Sequence, residues 1–261
     1  MDLATLIGAA AGIAVVTLAV VRGGSLSDFV DPYALAVTLG GTVAATLIQY
    51  PLPRLRVALK SLVSIVRPNA DDPRQVIETL VGFAERARRE GVLCLEEDAD
   101  HAEDPCLAKG LNLLVDGTGE SELRAILEAD LANLEARNRQ GAGLFETMAQ
   151  FAPGFGMLGT LIGLIQMLRR MESPAALGIT MASALLATFY GVLLANLVFL
   201  PVAGKLKVRG AEAVLRRELI MEGILAIQAG DTPSLLREKL SSFLPPEQQT
   251  ARARAHADEE E

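Results

Sequence analysis

Charge is missing from four long stretches of this 261-residue chain: no Asp, Glu, Lys, Arg or His occurs in Leu3–Val21, Tyr33–Tyr50, Thr147–Leu168 or Pro174–Gly204. About twenty apolar residues is the length of a helix that crosses a bilayer, so these runs exclude an ordinary soluble domain. An ion path through a membrane is usually marked by an ionisable group kept there at a cost. The runs of this chain supply none. Cysteine and histidine are scarce as well. Cys94 and Cys106 lie in the polar middle of the chain with His101 between them, and a zinc site would need a fourth ligand that the neighbouring sequence does not offer. The two cysteines read as reduced cytosolic thiols. A basic N-terminal flank is absent, since Asp2 is acidic, and the first apolar run exceeds the core of a secretory signal, so it reads as a membrane helix.

What is present agrees. Hydrophobic residues make up 51% of the chain, aromatics only 4%, and the formal charge of −8 sits outside the apolar runs. That acidity belongs to the soluble segments and argues against a general affinity for nucleic acid or anionic lipid. Arg54, Arg56, Lys60 and Arg67 follow the second run, and Lys205, Lys207, Arg209, Arg216 and Arg217 follow the fourth. By the positive-inside rule both clusters are cytoplasmic, which an even number of crossings allows, and both termini are then cytoplasmic. Arg169 and Arg170, after the third run, oppose this orientation.

The expected architecture is an all-α integral membrane protein in four parts. A transmembrane hairpin occupies 1–52, with helices at about 3–21 and 33–50. A cytoplasmic helical domain spans 53–146, and a second transmembrane hairpin spans 147–204, with helices at about 147–168 and 178–203. A cytoplasmic helix and charged tail complete the chain over 205–261. Within the cytoplasmic part, Asp72 and Pro73 open a helix whose Val76, Leu80, Phe83 and Ala87 share a face, with Gly91 closing it. Asp104-Pro105 opens a short helix ending near Gly117, and Leu123, Ile126, Leu127, Leu131 and Leu134 share a face between Ser121 and Arg139. The segment 211–228 reads as a helix continuing the fourth crossing, and 233–244 as a short further one.

The third membrane run is unusual for a simple anchor. Phe151-Ala-Pro-Gly-Phe-Gly-Met-Leu-Gly-Thr-Leu-Ile-Gly-Leu164 carries Pro153, which removes a backbone donor, and Gly154, Gly156, Gly159 and Gly163, which bare the helix surface. Pro153, Gly156, Thr160 and Gly163 form a small and polar face on this run, and in the fourth run Thr180, Ala184, Ala187, Thr188, Gly191 and Ala195 follow i+3 or i+4 steps. Two readings stand side by side. One is close helix packing, with each Thr bonded to its own i−4 carbonyl. The other is a hydroxyl-lined cavity whose charged centre comes from a partner helix, with carbonyls freed by Pro153 available to water or cations.

The 151–164 run, together with Leu185-Leu-Ala-Thr-Phe-Tyr-Gly-Val-Leu-Leu-Ala-Asn-Leu-Val-Phe-Leu-Pro201, resembles the A subunit of the bacterial flagellar motor stator, the MotA/PomA family. Met1-Asp-Leu-Ala-Thr-Leu6, Val115-Asp-Gly117 and Leu219-Ile-Met-Glu-Gly-Ile-Leu-Ala-Ile-Gln228 resemble its sodium-type PomA branch. The resemblance implies a non-enzymatic inner-membrane ion channel, without a cofactor, that turns cation flow into rotor torque. It implies a pentamer of A subunits around two single-pass B subunits, whose intramembrane aspartate would supply the missing carboxylate. Pro153 and Pro201 match prolines that couple ion passage to movement, and Thr160 and Thr188 match hydroxyls beside the ion path. Arg88, Arg89, Glu96 and Glu97 match charges that engage the rotor's switch-complex protein, although such charges also suit a solvated helix end. Sodium-using members have two consecutive threonines where this chain has Ala187-Thr188, so the resemblance at this point favours H+ over Na+. A passive scaffold for a single-pass partner is the alternative, as is an energiser of outer-membrane transport, although the latter's usual three crossings differ from the four runs here.

Overall fold

The computed structural model describes residues 3–66, 73–169 and 174–244. The Asp72 cap, the flanking Arg67 and Arg170, and the charged tail from Pro245 onwards lie outside the described residues. Among those residues the chain is helical with no strand, and four helices are long and apolar enough to cross a membrane: Thr5–Gly23, Leu26–Gln49, Glu120–Arg169 and Leu177–Gln228. Two compact units result, Met1–Pro68 with Arg137–Arg209, and Asn69–Ala136 with Gly210–Glu261.

The first unit opens with α1, Leu3–Gly23. A 3-10 turn, Leu26–Phe29, follows and is opened by a capping box between Ser25 and Asp28. The second crossing begins at α2, Pro32–Leu35, where the Asp31 carboxylate accepts from the N–H groups of Tyr33 and Ala34 and Pro32 takes the first-turn position that needs no donor. A π-helical turn, Ala36–Gly40, leads into α3, Gly41–Gln49. After the extended Tyr50 comes α4, Leu52–Val66, a helix with no counterpart in the start signals read from the sequence.

The second unit is built on α5, Pro73–Glu90, which buries Val76, Ile77, Leu80, Val81, Phe83 and Ala84. Gly91 ends it at φ 87°, a left-handed conformation that costs glycine no steric clash. A 3-10 turn, Val92–Leu95, leads into α6, Glu96–His101, and α7, Pro105–Val115, starts at an Asp104 cap that accepts from the Cys106 N–H at 2.7 Å.

The third crossing belongs to α8, Glu120–Arg169, fifty residues in one helix. The sequence divides this stretch into a soluble helix at 121–139 and a membrane helix from 147. Gly141 and Gly143 do not break it, because a glycine lowers helix stability by only about 1 kcal/mol and tertiary packing on either side outweighs that. The fourth crossing consists of α9, Pro174–Leu193, a π-helical turn, Leu194–Phe199, and α10, Leu200–Gln228. The final helix is α11, Pro233–Ser241, capped by Thr232.

The grouping of segments differs from their order along the chain. The core of the second unit joins Ile77, Leu80, Leu95, Leu111 and Leu123 to Leu219, Ile220, Ile224, Leu236 and Leu240, all essentially inaccessible to water. Residues 210–244 therefore belong to the same core as 73–136 rather than forming a separate appendage. Burying each such Leu or Ile is worth about 1.5–3 kcal/mol. Segment 53–66, read from sequence as part of the soluble domain, groups with the membrane helices.

Candidate functional site

The membrane unit is tightest where α8 meets α9. A Cβ on Gly156 would lie 2.8 Å from the Ala187 carbonyl oxygen and 3.1 Å from Thr188 Cα, and one on Gly191 would lie 2.6 Å from the Ala152 oxygen and 3.2 Å from Pro153 Cα. The two backbones touch, and only hydrogen fits between them. Gly159 and Gly163 continue the seam against the methyl groups of Ala187 and Ala184.

Backbone contact brings polar atoms together. The Thr160 hydroxyl lies within donating distance of the Ala184 carbonyl at 3.0 Å and the Gly156 carbonyl at 3.2 Å, and it is in short contact with the Thr188 hydroxyl. Thr188 Oγ1 in turn reaches the Gly156 oxygen at 3.3 Å. Each hydroxyl has one proton to give. These two therefore share a small set of acceptors whose donors can be exchanged by rotation alone. Both side chains are only half-buried.

Ala187 is adjacent in sequence to Thr188 but faces elsewhere, as the 100° step of a helix requires. Its side chain is 2% exposed and packs on Gly159, while its carbonyl accepts from Thr38 Oγ1 at 3.2 Å. Thr38 begins a stripe missed in the sequence. Thr42 donates to the Thr38 carbonyl at 2.6 Å and Thr46 to the Thr42 carbonyl at 2.7 Å, all three fully or almost fully buried. The signal was available as Ala34, Thr38, Thr42 and Thr46 at i+4 steps, but uniform hydrophobicity masked it.

Asp31 is held in place from two sides. Its backbone N–H donates to the Tyr190 hydroxyl at 2.9 Å, which itself donates to the Phe29 carbonyl at 2.5 Å, and its carboxylate takes a hydrogen bond from Ser183. Asp31, Gln166, Thr180, Ser183 and Ala187 line a cavity of about 230 Å³ within this unit.

The two prolines differ. Pro153 lies inside the uninterrupted α8, at the glycine seam. Pro201 is exposed and follows the π turn of the fourth crossing, in which the Leu200 N–H bonds to the Ala195 carbonyl five residues back. A proline cannot donate to the fourth carbonyl before it, and a widened turn is one way of accommodating that gap.

Arg88, Arg89, Glu96 and Glu97 belong to the second unit and are exposed on either side of Gly91. Their neighbours are ordered by charge. Arg86 donates to Asp98 at 2.5 Å, a bond that raises the guanidinium pKa above its ordinary value, and the same guanidinium lies 5.4 Å from the Phe83 ring centre. His101 Nδ1 lies 2.7 Å from the Glu97 carbonyl oxygen, and burial pushes the Cys106 thiol up. Among the described residues no group of three or more His, Cys, Asp or Glu side chains is arranged to hold a metal.

Comparison with known proteins covers nearly the whole chain. The MotA/TolQ/ExbB proton channel family matches over residues 98–219. The chain is similar to chemotaxis protein PomA of Vibrio alginolyticus, with 41% identity over 94% of this chain and 96% of that protein. Among solved structures it resembles the C. jejuni MotAB structure, with a TM-score of 0.88, 26% identity, and coverage of 94% of this chain and 97% of that one. It also resembles the flagellar MotAB stator complex of Bacillus subtilis, with a TM-score of 0.87, 29% identity, and coverage of 95% and 98%.

Proposed function

The chain belongs to the MotA/PomA family of flagellar stator A subunits, and on that footing we propose that it is an ion-conducting stator subunit that turns cation flow into rotor torque with a single-pass B subunit. Its work is conduction and movement in the inner membrane, not covalent chemistry. The observation that carries this reading is the hydroxyl pair Thr160–Thr188 beside a backbone seam, in apolar runs that lack any ionisable side chain. Such a pair can solvate a proton or cation in passing, but its oxygens carry no net charge to draw one from water. A B-subunit aspartate supplies that charge, and a pentamer of A subunits places copies of the pair around it. Protons are the favoured ion. Pro153, at the seam, and Pro201, beside the π turn, are the positions where a change of charge in the pore is converted into helix movement.

The test is flux in vesicles. The full chain reconstituted alone should leave an imposed pH or sodium gradient intact, and co-reconstitution with its B subunit should dissipate one of them. Moving a bare cation through hydrocarbon without a charged partner costs many kcal/mol, so the contrast should be close to all or none. Selective flux from the chain alone would overturn the reading, and silence of the assembled complex would favour the passive scaffold.

The rotor contact is assigned to Arg88, Arg89, Glu96 and Glu97, with both termini on the same cytoplasmic side. Reversing Arg88 and Arg89 together to Glu should slow or stop swimming while leaving membrane assembly intact, and a charge reversal on the switch-complex protein should recover part of the speed. Exposed pairs are individually weak, so the double reversal is the informative change. Unchanged swimming speed would move the contact elsewhere.

A further inference from the structure

The helix α4 has a surface that the stator reading does not use. It follows the second crossing after a single turn at Tyr50-Pro51, and the Tyr50 hydroxyl is within hydrogen-bond reach of Thr147 Oγ1 at 3.0 Å and of the Gly143 carbonyl at 3.4 Å. Ala58 is 1% exposed, and Leu55 and Leu62 pack beside it on a cluster that includes Ala142, Phe145 and Leu206. Thr147 opens the third apolar run and Gly204 closes the fourth, so α4 is packed at the level where the apolar runs end.

Its other face is both apolar and basic. Leu52 and Leu59 are 62% and 52% exposed, and seven residues bring them onto one stripe two turns apart. Arg56 and Lys60, one turn apart, form the next stripe, with Arg54 exposed beyond them. α4 contains no acidic residue, and Arg54, Arg56 and Lys60 make no ion pair among the described residues. Exposed leucines would be a liability in water, and unpaired cations would be one against a neighbouring apolar helix. A bilayer surface carrying negative charge satisfies both, with the leucines in the acyl boundary and the cations at phosphate level.

We infer that α4 is an interfacial helix that binds anionic phospholipid, Arg56 and Lys60 engaging the headgroups while Leu52 and Leu59 enter the acyl region. This binding is independent of which ion the stator conducts.

The chain contains no tryptophan, so Leu59→Trp introduces a single reporter. The full-length variant, reconstituted with its B subunit and corrected for the emission of the parent complex, is placed in mixed phosphatidylcholine and phosphatidylglycerol vesicles with the acyl bromine on one lipid or the other. Brominated phosphatidylglycerol should quench more strongly than brominated phosphatidylcholine at equal mole fraction, with a local enrichment on the order of fivefold for each engaged cation. Raising the salt should shrink the preference, and Arg56→Gln with Lys60→Gln should remove it while quenching itself persists. Lack of quenching by either lipid would mean that protein covers this face. Equal quenching by both, at low and high salt, would mean a greasy contact without headgroup recognition. Either result overturns the inference, and the salt series decides it even if the double charge variant fails to assemble.

Discussion

Gly191→Leu should abolish swimming and destabilise the membrane unit more than any other single change at the candidate site. A Cβ there would meet the Ala152 oxygen at 2.6 Å, Gly156 Cα at 3.2 Å and Pro153 Cα at 3.2 Å. All three are backbone atoms, so no side chain can rotate away, and the only relief is to part the helices. Separation also stretches the bonds that depend on the seam, Thr160 to the Ala184 carbonyl at 3.0 Å and Thr188 to the Gly156 carbonyl at 3.3 Å. Overpacking a well-fitted contact usually costs about 1–3 kcal/mol, occasionally more, and a clash with backbone belongs at the upper end. A loss of about 3 kcal/mol is roughly a hundredfold in the folded-to-unfolded ratio. Detergent-titrated unfolding of the purified chain measures it. Gly178→Ala is the control, since nothing lies within 4 Å of a Cβ at that position, and it should leave stability unchanged or raise it by up to about 1 kcal/mol. Native stability and motility in Gly191→Leu would show that the seam opens freely, and the packing account of the four glycines would fail.

The difference between these two glycines marks how far sequence could go. Length and the absence of charge identify the four crossings, because a bilayer imposes a single strong requirement on any helix within it. Capping at Asp104 is local chemistry, so the start of α7 was legible as well, and that of α11 was read at Pro233. The membership of 210–244 in the second core was not, since Leu219, Ile224 and Leu236 could have paired with any apolar face. Nor was Asp31: a carboxylate beside a turn looks like solvent-facing connection until Ser183 and Tyr190, about 150 residues later in the chain, are seen to hold it. Spacing placed Thr160 and Thr188 each on a small and polar face, but which face meets which depends on the helix pairing. Gly156 and Gly191 allow the approach that brings the two hydroxyls together. The sequence left packing and a polar path as rivals here; the structure shows the close packing, and the two hydroxyls it brings together are what the proposed path would use.

That coincidence shapes the test of ion choice. With protons as the transported ion, swimming should persist in sodium-depleted medium and stop when a protonophore collapses the proton gradient, at an external pH that supports growth. Within that background Thr188→Val keeps the branched shape and removes the hydroxyl, so the seam at Thr188 Cα is preserved while Thr160 loses its neighbour and the Gly156 carbonyl loses one donor. A lost hydrogen bond of this kind costs about 0.5–1.5 kcal/mol of stability, too little to prevent assembly. Torque should suffer far more, because an ion passing this point would meet a methyl group in place of an oxygen. Thr160→Val should behave similarly through the Ala184 carbonyl. Ala187, whose methyl group packs on Gly159 and borders the cavity shared with Asp31, contributes no oxygen to the pair. A threonine at that place would enrich the Asp31 cavity instead. Assembly at native level with torque reduced at least tenfold, read from tethered-cell rotation, is the expected result for Thr188→Val, since only about 1.4 kcal/mol of added barrier is needed. Normal torque would remove the hydroxyl pair from the ion path. Speed that follows external sodium and survives the protonophore would overturn the proton assignment.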